Sequence, residues 1–115
     1  MKLLLTKNQS KGIMGKVSFE VKAQVELVNE EKKLIEHYSL GNEILFQRKM
    51  NNIWGQPTDH LIDVRVRDLI AGLSYKCKSL DEMISYSECL KTACETFKRY
   101  LVIANSFGGE EIFEF

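Results

Sequence analysis

The sequence predicts an α+β fold in which one curved, mostly antiparallel sheet packs against a single long helix near the C-terminus. Two observations carry this prediction. Residues 15–27 alternate apolar and polar side chains without a break, as a strand with one buried face does. Residues 80–105 place apolar side chains every three or four positions, as an amphipathic helix does. The 115 residues fit one domain, so we expect a single α+β domain over 1–115 with element order β-β-α-β-β-β-α-β.

A hairpin is predicted at the start of the chain. Residues 2–6 are a short predicted strand, and the polar connection 7–15 leads into the strand 15–27. Gly12 and Gly15 in this connection do not fit a phosphate-binding loop, because a strand follows them and not a helix. We expect instead a hairpin loop that needs a positive φ at both glycines. The outward side chains of 15–27 mix both signs of charge, which is typical of a solvated sheet face.

The middle of the chain contains a predicted helix, a strand and the clearest loop. Asn29 is suited to cap a helix over 30–38, whose first turn holds two glutamates. Strand 42–50 follows. The only proline and the only tryptophan lie together in 51–60, which predicts a loop.

Two further strands and the long helix complete the prediction. Residues 61–69 alternate again, and 73–79 form another half-buried strand. Ser79 starts a capping box for the helix 80–105, and 110–115 close the chain as a strand. The predicted inner stripe of the helix is Leu80, Met83, Ile84, Leu90, Ala93, Cys94, Phe97, Leu101 and Ala104. Tyr86, Tyr100 and Val102 widen the apolar surface beyond this stripe, so either the sheet wraps around the helix or a second subunit covers it.

Charge is balanced overall and tilted along the chain. Sixteen basic and sixteen acidic side chains give a net charge of zero, which lowers the expectation of binding to nucleic acid or to an anionic membrane. Residues 1–22 nevertheless carry five lysines against one glutamate, and 110–115 carry three glutamates and no base. The two end segments therefore lie side by side within one fold, or they associate head to tail between copies. Their predicted strands, 2–6 and 110–115, could equally extend a sheet between copies.

Catalysis, metal binding and cofactor binding are not expected. Three cysteines make an odd count without disulfide or CxxC spacing, and Cys89 and Cys94 point in different directions on one helix. No signal peptide or membrane-spanning run is recognisable, so a reducing, cytoplasmic setting is expected. The weakest alternative is an enzyme with a cleft around His60, Asp63 and Cys77.

The candidate binding residues are Arg48, Lys49 and Trp54, with Lys11 and Lys16 beside the glycines. The sequence favours a small non-catalytic protein-interaction or adaptor module that forms a homodimer with an unidentified protein partner. The alternative is a single-stranded nucleic-acid-binding protein that stacks bases on Trp54 and contacts phosphates through the cations. We expect Trp54 to fold over the edge of the core. An exposed Trp54 would favour a protein contact over RNA.

Overall fold

The computed structural model describes residues 1–54 and 56–115, without the side chain of Pro57, and it confirms the α+β class. The five predicted strands and two predicted helices occur in the predicted order as far as the long C-terminal helix, and one short helix, Val66–Ala71, is additional. The elements are β1 Lys2–Lys11, β2 Val17–Glu26, α1 Asn29–His37, β3 Ile44–Asn51, β4 Pro57–Arg65, α2 Val66–Ala71, β5 Leu73–Cys77 and α3 Leu80–Asn105. Short 3-10 turns occupy Ile13–Gly15 and Leu40–Asn42.

The described strands form two antiparallel sheets. Sheet A has the order β1-β2-β5, and sheet B is the hairpin β3-β4. In sheet A the central strand β2 places Val21 opposite Lys7 on one side and Tyr75 on the other. Val21, Ala23 and Val25 are buried while the residues between them are exposed, so β2 has the register that its alternation predicts.

The core lies between sheet A and α3. Leu90 and Phe97 of α3 are fully buried, as is Val21 of β2. Ser79 caps α3 as predicted, because its hydroxyl accepts a hydrogen bond from the backbone N–H of Glu82 at 3.2 Å. The second bond of the predicted capping box is displaced by one residue, since the Glu82 carboxylate accepts from the backbone N–H of Lys78 at 3.2 Å. The inner stripe is rotated at its start: Leu80 and Ile84 are 60% and 54% exposed. The buried row of α3 is instead Met83, Tyr86, Ser87, Leu90, Ala93, Phe97, Leu101 and Ala104.

The predicted strand 61–69 is wrong in its second half. β4 ends at Arg65, and α2 begins at Val66, where the Asp68 carboxylate accepts a hydrogen bond from the backbone N–H of Arg65 at 2.8 Å. Val66 and Leu69 are both fully buried, and a spacing of three suits a helical turn. Val66 also continues the alternation of β4, which is why the pattern resembles a longer strand.

The long loop 51–60 is also shorter than predicted, since β4 already begins at Pro57. α1 starts at Asn29 itself, one residue earlier than a cap at Asn29 would give. Val28 precedes it, and the Val28 N–H donates to the Glu31 carboxylate at 3.0 Å.

The two ends of the chain differ most from the prediction. β1 extends to Lys11, so the first hairpin closes through residues 12–16 alone, and the positive φ values fall at Met14 and Gly15 instead of Gly12. Residues 106–115 contain no strand and are exposed throughout. The predicted closing strand 110–115 is therefore wrong, because none of the described strands pairs with it.

The molecule is elongated. Its radius of gyration is 17.4 Å and its extents are 65 × 29 × 27 Å, whereas a compact chain of this length has a radius of gyration of about 13 Å.

Candidate interaction surfaces

A basic arm projects from sheet A. We define the basic arm as residues 6–18, the outer part of the hairpin β1-β2, and every residue in it is exposed. β5 pairs with β2 only from Phe19 to Ala23, so the arm is a ribbon of two strands. It contains Lys7, Lys11 and Lys16 and no acidic residue. A two-stranded ribbon is marginally stable on its own in water, so the arm is suited to contact another surface.

The tip of the basic arm is apolar. Ile13 and Met14 are 93% and 96% exposed, and Lys11 and Lys16 flank them. The turn is closed by a hydrogen bond from the N–H of Gly12 to the carbonyl of Lys16 at 2.6 Å. The predicted pair Lys11 and Lys16 thus lies at one place, on either side of two exposed hydrophobic side chains.

β1 also has an open edge. Among the described residues it pairs with β2 alone, over its whole length from Lys2 to Lys11. The hydrogen-bonding groups along its other side are therefore free to pair with an added strand.

Arg48 makes a cation–π contact within the fold. Its guanidinium lies 5.1 Å from the ring centroid of Tyr75, and Tyr75 in turn stacks on Tyr86 with centroids 4.4 Å apart. Phe46 meets the Tyr86 ring edge-on at 6.3 Å. This stack joins sheet B to β5 and α3, and it leaves Arg48 half-buried.

Of the two tyrosines in the stack, Tyr86 has the more strongly shifted pKa. Burial raises the pKa of Tyr86 to about 12. Its buried hydroxyl has no hydrogen-bonding partner among the described residues. Burial, followed by the neighbouring Glu82 carboxylate, likewise raises the pKa of Tyr75.

Trp54 is exposed, contrary to the expectation that it folds over the core. It lies in the loop after β3 and is 77% exposed. Asn52 organises this loop, because its side-chain oxygen accepts hydrogen bonds from the backbone N–H groups of Trp54 and Gln56, both at 2.9 Å. Lys49 is exposed on β3, five residues before Trp54 in the chain. A groove of about 370 Å³ separates the end of this hairpin from β5, with Ile53 and Tyr75 among its lining.

The segment after α3 carries acidic and aromatic side chains that are exposed to solvent. We call residues 110–115 the acidic segment; it contains Glu110, Glu111 and Glu114. Its three hydrophobic side chains, Ile112, Phe113 and Phe115, are all exposed. Before it, Phe107 contacts the ring of Tyr38 edge-on, with centroids 4.9 Å apart. No ion pair among the described residues joins the acidic segment to the basic arm, so the charge pairing that a side-by-side arrangement within one chain would give is not observed.

The predicted binding residues fall into two groups. Lys11 and Lys16 are in the basic arm, whereas Arg48, Lys49 and Trp54 are in sheet B and its loop. No hydrogen bond or ion pair within residues 1–54 and 56–115 joins the two groups. The sequence prediction did not include Lys7 among the binding residues, because it ended the first strand at residue 6, and only the structure places Lys7 and Lys11 on one strand. The sequence prediction also gave no sign of the stack on Tyr75, because that contact joins residues far apart in the chain.

The weak catalytic cluster does not form. His60 and Asp63 lie on β4, three residues apart and so on opposite faces of the strand. Asp63 accepts hydrogen bonds from Gln47 at 2.7 Å and Arg65 at 3.2 Å. Cys77 is buried in sheet A. Burial raises the pKa of Cys77, and likewise the pKa values of the other two free thiols, Cys89 and Cys94, which lowers the thiolate fraction of each at neutral pH.

Within the described part of the chain, no group of three or more His, Cys, Asp or Glu side chains is placed to hold a metal ion. None of the described helices has the length and hydrophobicity required to cross a membrane. No family model, curated protein or solved structure matches the chain.

Proposed function

We propose that this protein is a non-catalytic protein-interaction module that associates with copies of itself, at least as a homodimer, and that it works in the reducing environment of the cytoplasm. The free state of Cys77, Cys89 and Cys94 supports the reducing setting. Association with a further protein partner belongs to the same proposal, since an adaptor needs a second surface.

One observation carries the proposal. The chain exposes 8519 Å² of surface, whereas a compact monomer of 13.3 kDa exposes about 6,450 Å². The difference is about 2,000 Å² per chain, or about 4,000 Å² for two chains. This area lies within the range of about 2,000–5,000 Å² that the interface of an obligate homodimer buries on both subunits together. Large hydrophobic side chains form part of the exposed surface in the basic arm, the Trp54 loop and the acidic segment.

Analytical ultracentrifugation across the micromolar range tests the proposal. We expect a mass of at least twice 13.3 kDa that falls on dilution. A single species of 13.3 kDa at the highest concentration would refute self-association.

A second candidate function is the binding of single-stranded nucleic acid. The exposure of Trp54 favours a protein contact over RNA, but it also leaves the indole ring free to stack on a base, and Lys49 is exposed as well. A base stacked on an exposed tryptophan contributes about 1–3 kcal/mol to binding. Filter binding of an oligonucleotide at about 50 mM salt should show retention that weakens steeply as salt rises. Trp54→Ala should reduce this retention, while Ile53→Ala, at a neighbouring residue that is also largely exposed, should not. A wild-type protein that is not retained would exclude this function.

A further inference from the structure

We infer that the acidic segment of one copy adds as a strand to the open edge of β1 in the basic arm of a second copy. This inference rests on the proposed self-association and specifies its interface. It names the acidic segment of a second copy as the partner of the basic arm, because the opposite charges that the arm requires are present in the same sequence.

The first support is the unsatisfied edge of β1. Its backbone groups face β2 on one side and no described strand on the other. An extended segment rich in Ile and Phe has the side chains that favour strand formation. Residues 110–115 are such a segment, and they are exposed with no strand partner of their own among the described residues. Addition to β1 would satisfy both sets of backbone groups at once.

The second support is the spacing of the charges. Lys7 and Lys11 are four residues apart and share one face of β1. Glu110 and Glu114 are also four residues apart, so an extended segment places them on one face. In an antiparallel register with Glu110 opposite Lys11, Glu114 is opposite Lys7. Both ion pairs therefore form in a single register.

The third support is an apolar contact in the same register. Phe115 then lies opposite Thr6 and diagonal to Leu4 on the outer face of sheet A. Leu4 is 46% exposed there and lines a shallow depression of about 420 Å³ with Thr6 and Gly72. A parallel register would instead direct Phe115 beyond Lys11, toward the turn. The antiparallel register therefore covers more apolar surface.

The acidic segment does not occupy this edge within one chain. Residues 106–115 contain no strand and are exposed throughout. No ion pair among the described residues joins their glutamates to the lysines of the basic arm. The edge of β1 and the acidic segment are therefore both open to a second copy.

Charge reversal tests the inference. We expect K7E/K11E and E110K/E114K each to weaken self-association at least tenfold in sedimentation equilibrium. An equimolar mixture of the two variants should restore it, because the reversed arm of one then meets the reversed segment of the other. The matched control is E88K/E95K, which reverses two exposed glutamates of α3 and should leave association unchanged. Circular dichroism melts of each variant check that the fold is retained.

Single reversals test the register. In the antiparallel pairing, K7E is rescued by E114K and not by E110K, while K11E is rescued by E110K. The opposite pattern of rescue would overturn the register stated here.

The possible failures are distinct. A wild-type protein that stays monomeric refutes the proposed function and this inference together. An oligomer that persists in both charge-reversed variants refutes only this inference. An oligomer that persists while K7E/K11E abolishes oligonucleotide retention would assign the basic arm to nucleic acid and would likewise overturn it.

Discussion

The buried hydroxyl of Tyr86 makes a sharp prediction about stability. Tyr86 stacks on Tyr75 within the core, and its hydroxyl has no hydrogen-bonding partner among the described residues. The change Tyr86→Phe removes this oxygen and keeps the ring. Because an unsatisfied buried hydroxyl costs about 1–3 kcal/mol, we expect the variant to be more stable by at least about 1 kcal/mol.

The matched control makes the same chemical change where the hydroxyl is used. The Tyr100 hydroxyl donates a hydrogen bond to the carbonyl of Ile44 at 3.3 Å. Tyr100→Phe loses that bond and should destabilise the protein by about 0.5–1 kcal/mol. The two variants are therefore expected to change stability with opposite signs, although each removes one oxygen from one tyrosine.

Urea unfolding followed by circular dichroism measures both variants. A change of about 1 kcal/mol corresponds to about 4 °C in Tm for a chain of this size. The reasoning is refuted if Tyr86→Phe is destabilised, since that result would mean that the hydroxyl is hydrogen-bonded in solution.

The same residue predicts how stability depends on alkaline pH. The folded pKa of Tyr86 is raised to about 12 from its ordinary value near 10. The protonated form is therefore favoured by folding, so its contribution is complete below pH 10 and is lost as the pH rises from 10 to 12. The loss is at most about 2.7 kcal/mol, at 1.36 kcal/mol for each pH unit. Tyr86→Phe should remove this component, and an unchanged alkaline profile would contradict the assignment to Tyr86.

Three further predictions concern the fold. Leu90→Ala leaves a cavity in the core and should cost about 2–5 kcal/mol in urea unfolding. Leu80→Ala, on the exposed side of the same helix, should cost less than about 1 kcal/mol, and equal losses would show that the buried row is misplaced. Gly72 has φ +109° with space for a methyl group, so Gly72→Ala should cost about 1–3 kcal/mol from backbone strain alone; an unchanged Tm would argue against this conformation. The Ser74 hydroxyl donates to Glu20 at 2.8 Å and lowers the pKa of that carboxylate. This contribution is present at neutral pH and is lost as the pH falls through the lowered pKa, so Ser74→Ala should raise the pKa of Glu20 in an NMR titration, and an identical titration would disprove the contact.

Local patterns in the sequence were sufficient to predict most of the elements. The alternation around Val21 and the capping box at Ser79 each identify an element, because the periods of a strand and a helix are set by the backbone itself. The same patterns do not predict the correct element where one apolar residue fits both the two-residue period of a strand and the spacing of a helix. Val66 continues the alternation of β4 and also begins the helical turn of α2, and only its burial with Leu69 distinguishes the two.

The candidate surfaces were less predictable. The charges of the basic arm and of the acidic segment are visible in the sequence, but whether they pair within one chain depends on where α3 directs the segment. Likewise Arg48 and Trp54 are close in sequence and have different environments, since the ring of Tyr75 lies under Arg48 while Trp54 is exposed.

The sequence by itself determined the α+β class, the register of β2 and the long helix α3, since each depends on the order of apolar residues within one segment. The tertiary structure decided the division of the described strands into two sheets, the burial of the Tyr86 hydroxyl without a hydrogen-bonding partner among the described residues, and the exposure of the acidic segment. These features depend on distances between segments that are far apart in the chain. Local periodicity contains no information about such distances, because they are fixed only when the elements pack.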